Sequence, residues 1–158
     1  MKAAMHKSVF TIRQRGVAAI EMAITLPVLL LMLIATAELG RAFYQYNTLT
    51  KAVHSAARYL SDNALDGSLP LIALTDDKRT AVKNLVVYAN TGGGGDPVVA
   101  GLDAADVTVT QVDASHIEVT VSFGYQPMFT RIPTFGLSAA DVDTALTLNA
   151  SATMRAIR

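Results

Sequence analysis

The chain has 158 residues, of which 51% are hydrophobic and only 16% are charged, and its formal net charge is zero. A zero net charge offers no overall field for nucleic acid, so that partner class is not expected. The absence of cysteine excludes a disulfide framework, a thiolate metal site and a cysteine nucleophile.

The first predicted element is a basic leader, residues 1–16, which contains no acidic residue and ends in Gly16. The basic residues that precede the first acidic residue are Lys2, Lys7, Arg13 and Arg15. Because the leader comes directly before an apolar run, we interpret it as the flank of a membrane segment.

The apolar run, residues 17–37, contains one charged residue, Glu21. As a helix it spans roughly 32 Å at about 1.5 Å per residue, close to the thickness of a bilayer core. Basic residues before the run and acidic residues after it predict a single-pass protein with a cytoplasmic N-terminus.

The helix is predicted to continue beyond the membrane over residues 38–65, because apolar residues recur there at helical spacing. The predicted packing stripe follows a seven-residue repeat and consists of Leu39, Ala42, Tyr46, Leu49, Val53, Ala56 and Leu60. The polar residues expected off this stripe are Arg41, Gln45, Lys51, Ser55 and Arg58.

Residues 66–158 are predicted to form an extracytoplasmic α+β head. A short helix is expected over roughly 77–90, with Thr75 or Asp76 as its N-cap and Gly92 at its C-terminal stop. Three later segments alternate apolar and polar residues, which predicts an antiparallel sheet of about three strands. The strand segments begin near Val107, Ile117 and Leu146.

No residue pattern in the sequence indicates a catalytic, metal or cofactor site. The three histidines lack a second ligand at metal spacing, and the glycine run after Thr91 lacks the lysine and flanking strand of a phosphate loop. We therefore expect no enzyme activity, no cofactor, no metal and no small-molecule substrate.

One local pattern points to processing. Cleavage after Gly16 would create a positive amine on Val17, and Glu21 lies only about 6 Å further along a helix. A carboxylate in a membrane helix is costly unless it is paired, so Glu21 could pair with that amine on a neighbouring subunit. The alternative is a glutamate that only reaches the headgroups.

Residues 13–60 resemble the TadE-like family of the tight-adherence (Tad, or Flp) pilus system. The residues that carry the resemblance are Arg15-Gly16, Ala18-Ala19, Glu21, Leu26-Pro27, Glu38, Gly40-Arg41 and Ala56-Ala57-Arg58-Tyr59. Pilus subunits of this system often have an aromatic residue after the glutamate, whereas this chain has Met22.

The resemblance implies a minor pilin or pseudopilin that a prepilin peptidase cuts after Gly16. It implies the bacterial inner membrane as the location, a periplasmic head, and possible incorporation into an extracellular pilus. The implied partners are the peptidase, the inner-membrane assembly platform, other major or minor pilins, and the membrane itself.

Two other interpretations remain open. The protein could be a permanently anchored scaffold of the same pilus or secretion machinery. It could also be a secreted protein whose signal peptide is cut after Ala37, since Ala35-Thr36-Ala37 fits the small-residue rule for that cleavage.

Overall fold

A computed structural model describes residues 10–65, 72–128, 131–132, 142–143 and 146–156. The first element, α1, is one helix that runs without interruption over Phe10–Asn63. It therefore joins the end of the predicted leader, the membrane segment and the amphipathic segment in a single rod. Residues 1–9 of the predicted leader lie outside the described residues.

The second helix, α2, covers Asp76–Tyr88 and begins where the sequence predicts. Thr75 is its N-cap, and the Thr75 side chain accepts a hydrogen bond from the backbone N–H of Lys78. Its C-cap is Ala89, in a left-handed conformation with φ 56°, so the predicted stop at Gly92 was wrong. The cap N–H of Ala89 bonds to the Leu85 carbonyl, which closes the helix earlier than the glycine run.

The three predicted strands form one antiparallel sheet. They are β1 (Val107–Gln111), β2 (His116–Tyr125) and β5 (Leu146–Arg155), in the order β1-β2-β5. A short 3-10 helix, Ala104–Asp106, leads into β1. The connection before β5 also holds a two-stranded pair, β3 (Arg131–Ile132) and β4 (Val142–Asp143), which the sequence did not reveal. The predicted α+β fold class is confirmed.

The core lies where α1, α2 and one face of the sheet meet. Alternate residues of β2 from Ile117 to Tyr125 are buried, as expected for a strand with one covered face. The fully buried side chains that α1 and α2 contribute are Leu49, Val53, Ala56, Ala57, Leu60, Val82, Val86 and Val87.

The predicted packing stripe is only partly buried in the head. Ala42, Leu49, Val53, Ala56 and Leu60 are buried, as predicted. The head does not cover the two remaining members, and their burial against another subunit stays a prediction. Leu39 is 56% exposed and Tyr46 is 42% exposed.

The reason is the repeat that the buried face of α1 follows. Residues on this face recur every eleven positions, so Glu38, Leu49 and Leu60 lie above one another. An eleven-residue repeat corresponds to about 3.67 residues per turn, whereas a seven-residue repeat drifts in the opposite direction. Gln45 consequently lies on the buried face, although the sequence placed it off the stripe.

Candidate membrane and assembly site

The first part of the candidate site is the lower half of α1, residues 16–37. None of its side chains is buried, and most are apolar and exposed. By length and composition α1 can cross a membrane, and the most apolar window of the helix has none of its residues buried. A helix that is apolar on all sides and uncovered by its own chain requires an apolar environment.

Gly16 and Val17 lie inside α1, so the predicted processing point is helical. Gly16 is exposed, and a Cβ added to it would meet no atom within 4 Å. Val17 is also exposed. Because both residues are exposed, substitutions at this point should leave the folded domain undisturbed.

Glu21 is exposed one helical turn beyond Val17. Its backbone carbonyl accepts a hydrogen bond of 2.9 Å from the Thr25 hydroxyl. Among the described residues its carboxylate makes no ion pair. Because Glu21 is exposed, its carboxylate is accessible to a group from outside the chain.

The second part of the site is the point where the upper half of α1, residues 38–63, begins. Glu38 follows directly on the apolar run, yet it is buried by the head. The hydroxyl of Tyr125, the last residue of β2, donates a hydrogen bond of 2.5 Å to Glu38 Oε2. The same hydroxyl lies 3.4 Å from the Glu38 carbonyl oxygen. This contact fixes the end of the sheet to the helix at the level where the apolar run stops.

The surroundings of Tyr125 favour its neutral form. Burial, followed by the hydrogen bond and the negative charge of Glu38, raises the pKa of Tyr125 to about 12. The positive charge of Arg41 acts in the opposite direction and is the smallest of the four contributions. At neutral pH Tyr125 is consequently a protonated donor, as the contact with Glu38 requires.

A further polar side chain lies on the buried face of the upper half. Gln45 is buried, and its Oε1 atom has no hydrogen-bond partner among the described residues. An unsatisfied buried amide oxygen costs roughly 1–3 kcal/mol. The upper half therefore carries three buried polar residues, Glu38, Gln45 and Ser61, and hydropathy alone would place the first two on the surface.

The far end of the sheet is closed by a tight hairpin between β1 and β2. Asp113 accepts hydrogen bonds from the backbone N–H groups of Ser115 and His116, and its Oδ2 lies 2.9 Å from His116 Nδ1. The Ser115 backbone bond and then the His116 side chain lower the pKa of Asp113 to about 2. His116 thus stabilises a turn, and no group of three potential metal ligands occurs in the part of the chain that is described.

These features define a class: a long helix with an uncovered apolar half and a small α+β head fixed to the other half. The family model described as TadE-like protein matches residues 16–58, which covers the lower half and most of the upper half. The resemblance found in the sequence is confirmed over these residues, and it indicates a Tad pilus-associated protein. Comparison with curated proteins and with solved structures found no match.

Proposed function

We propose that the protein is a TadE-like minor pilin or pseudopilin that is needed to assemble a tight-adherence pilus. The observation that carries the proposal is the position of the family match on the structure. Residues 16–58 lie on one helix whose apolar lower half is exposed and whose upper half carries the head. A subunit with this form can be stored in a membrane and later packed laterally against other helices.

In the proposed mechanism the lower half first spans the inner membrane, with the head in the periplasm. A prepilin peptidase then cuts after Gly16 and leaves a positive amine on Val17. Glu21 of a neighbouring subunit is exposed and can neutralise this amine in a low-dielectric helix bundle, where the attraction is much stronger than in water. Cleavage and assembly are thereby coupled by one charge pair.

The proposed role is structural, and we propose no catalytic activity, cofactor or metal for it. The partners are the peptidase, the inner-membrane assembly platform and other pilins. We propose that these partners contact the exposed lower half and the outer face of the upper half. Leu39 and Tyr46, which the head leaves exposed, belong to that outer face.

The test is the N-terminal residue of the mature protein, measured by mass spectrometry of the membrane and pilus fractions. We expect a start at Val17. Gly16→Phe should abolish the cut. Gly40→Phe is the matched control, since Gly40 also lies in α1 and a Cβ there would meet no atom within 4 Å. Normal processing of Gly16→Phe would contradict the proposed site.

A second candidate is a permanently anchored scaffold of the pilus machinery. This candidate would keep α1 as the single helix Phe10–Asn63 that the uncut chain forms. An intact leader in the mature protein would support this candidate. A start at Glu38 would instead support a secreted protein with a signal peptide cut after Ala37.

A further inference from the structure

Two of the three large hydrophobic side chains that are exposed in the described head lie at the same end of it. The large hydrophobic side chains that are exposed in the described head are Val112, Met128 and Leu146. Two of these belong to the end of the sheet that contacts Glu38. Leu146 is paired across the sheet with Tyr125, and Met128 follows Tyr125 by three residues. We call Met128 and Leu146 the base of the head.

The base is held at a defined height on α1. The Tyr125 hydroxyl is bonded to Glu38, the first residue after the apolar run. Three residues of extended chain reach at most about 10 Å, so Met128 cannot lie far from this level. Leu146, as the direct strand partner of Tyr125, has its Cα roughly 5 Å from that of Tyr125.

The helix itself changes character at the same level. The run from Val17 to Ala37 fills roughly 32 Å, the whole core of a bilayer, so Glu38 falls at the outer edge of the hydrocarbon. Phe43 and Tyr44 follow within about 9 Å of Glu38 along the axis and are both exposed. A tyrosine such as Tyr44 at this distance from the hydrocarbon is typical of the headgroup layer.

We propose that the base of the head rests in the headgroup layer of the membrane that α1 spans, with Met128 and Leu146 in contact with lipid. This inference depends on the membrane anchoring in the proposed function. The occupant is lipid because the base is fixed beside the last residues of the apolar run, where a bilayer around the lower half would have its surface. Contact with lipid would remove the apolar surface of the two side chains from water, which is favourable.

The absence of tryptophan from the chain provides a direct test. Single-tryptophan variants of the full-length protein would be reconstituted in phosphatidylcholine vesicles with and without brominated acyl chains. Met128→Trp and Leu146→Trp report on the base, and both positions are more than half exposed, at 72% and 52%. Val112→Trp is the matched control, because Val112 is 55% exposed at the hairpin on the opposite end of β2. Leu30→Trp reports on the lower half.

We expect lipids brominated near the headgroup to quench the fluorescence of Met128→Trp and Leu146→Trp. Lipids brominated deep in the acyl chain should quench Leu30→Trp, and neither kind of lipid should quench Val112→Trp. If Leu30→Trp is quenched but the two base variants show no more quenching than Val112→Trp, the inference is overturned and the anchoring is left intact. An unquenched Leu30→Trp would overturn both. The base variants could also be unquenched and show blue-shifted emission that depends on the protein-to-lipid ratio. That result would identify a protein neighbour and would also overturn the inference.

Discussion

The lower and upper halves of α1 belong to the same helix but face different surroundings. No side chain in residues 16–37 is buried, whereas the upper half buries one complete face from Glu38 to Ser61 under α2 and the sheet. The lower half is apolar on all sides, whereas the upper half from Leu49 onward is apolar mainly where the head covers it. Before Leu49 the upper half also carries exposed apolar side chains, namely Leu39, Phe43, Tyr44 and Tyr46. Helical periodicity therefore carries information only in the upper half, because only there does one side meet water.

The difference also shows what each half requires from its neighbours. The buried face of the upper half is covered by the same chain, since it forms one core with residues of α2 and the sheet. The lower half has no partner within the chain and depends on lipid or on other subunits. A substitution on the buried face of the upper half should therefore act on folding, and one in the lower half should act on insertion or assembly.

The largest expected effect is that of Leu49→Asp in the upper half. Leu49 is fully buried in the core, and an aspartate there loses the packing of leucine and buries a charge without a partner. We expect a loss of at least about 4 kcal/mol in the free energy of unfolding, which is enough to unfold many small domains. Urea titration of the detergent-solubilised protein, followed by circular dichroism, measures it.

Leu39→Asp is the control for this variant, because Leu39 lies on the same half but is exposed. It should leave the head folded, with a change within about 0.5 kcal/mol. A folded Leu49→Asp protein would contradict the packing of the head on α1. Unfolding of both variants would contradict the exposed position of Leu39.

The next effect concerns assembly and tests the lower half. Glu21→Gln keeps the size of the side chain and removes its charge, and the residue makes no contact with the head. Insertion should not suffer, since an amide is less costly in a membrane than a carboxylate. We expect cleavage after Gly16 to survive and surface fibres to be lost, as judged by immunoblot of the shortened form and by a count of fibres.

Cleaved Glu21→Gln protein with normal fibres would show that Glu21 is only an interfacial glutamate. Glu21→Asp retains the charge and serves as the matched variant, so its fibres should recover at least in part. Loss of cleavage in Glu21→Gln would assign the carboxylate to recognition by the peptidase instead of to the contact between subunits.

The elements of the fold could be predicted from the sequence, because each rests on a local pattern. Alternation defined the three long strands, and Thr75 marked the start of α2. The register of the buried face could not be predicted, since choosing between a seven- and an eleven-residue repeat requires knowing which side the head covers. A charged residue such as Glu38 is assigned to the surface by hydropathy, and its partner Tyr125 lies 87 residues away.

The Glu38–Tyr125 contact should have a moderate effect on stability. Tyr125→Phe removes one donor to the carboxylate and leaves the ring in place. A hydrogen bond to a charged group contributes about 1.5–3 kcal/mol, and we expect a loss in this range in urea titrations near neutral pH. Tyr44→Phe is the control, because Tyr44 is exposed on the same half. Equal stability of the two variants would contradict a stabilising contact.

The pH dependence of this contact has a defined sign. The pKa of Tyr125 is raised from its ordinary value of 10.0 to about 12 in the folded protein. The stabilisation is therefore complete below pH 10 and is lost as the pH rises through about 12. The free energy of unfolding should fall more steeply over this interval in the wild-type protein than in Tyr125→Phe. Parallel curves would show that Tyr125 titrates normally.

The smallest expected effect is a gain in stability at Gln45. Its Oε1 atom is buried and has no hydrogen-bond partner in the part of the chain that the structure describes, so the folded state retains the cost of removing this oxygen from water. Leucine has a similar volume and helix propensity but no polar atom, and Gln45→Leu should stabilise the head by about 1 kcal/mol. Asn47→Leu, at an exposed position two residues further on, should change stability by less than about 0.5 kcal/mol. If Gln45→Leu were instead destabilising, the Gln45 amide would have a partner in the folded protein. The head would then cover the upper half with fewer apolar contacts than the comparison with the lower half implies.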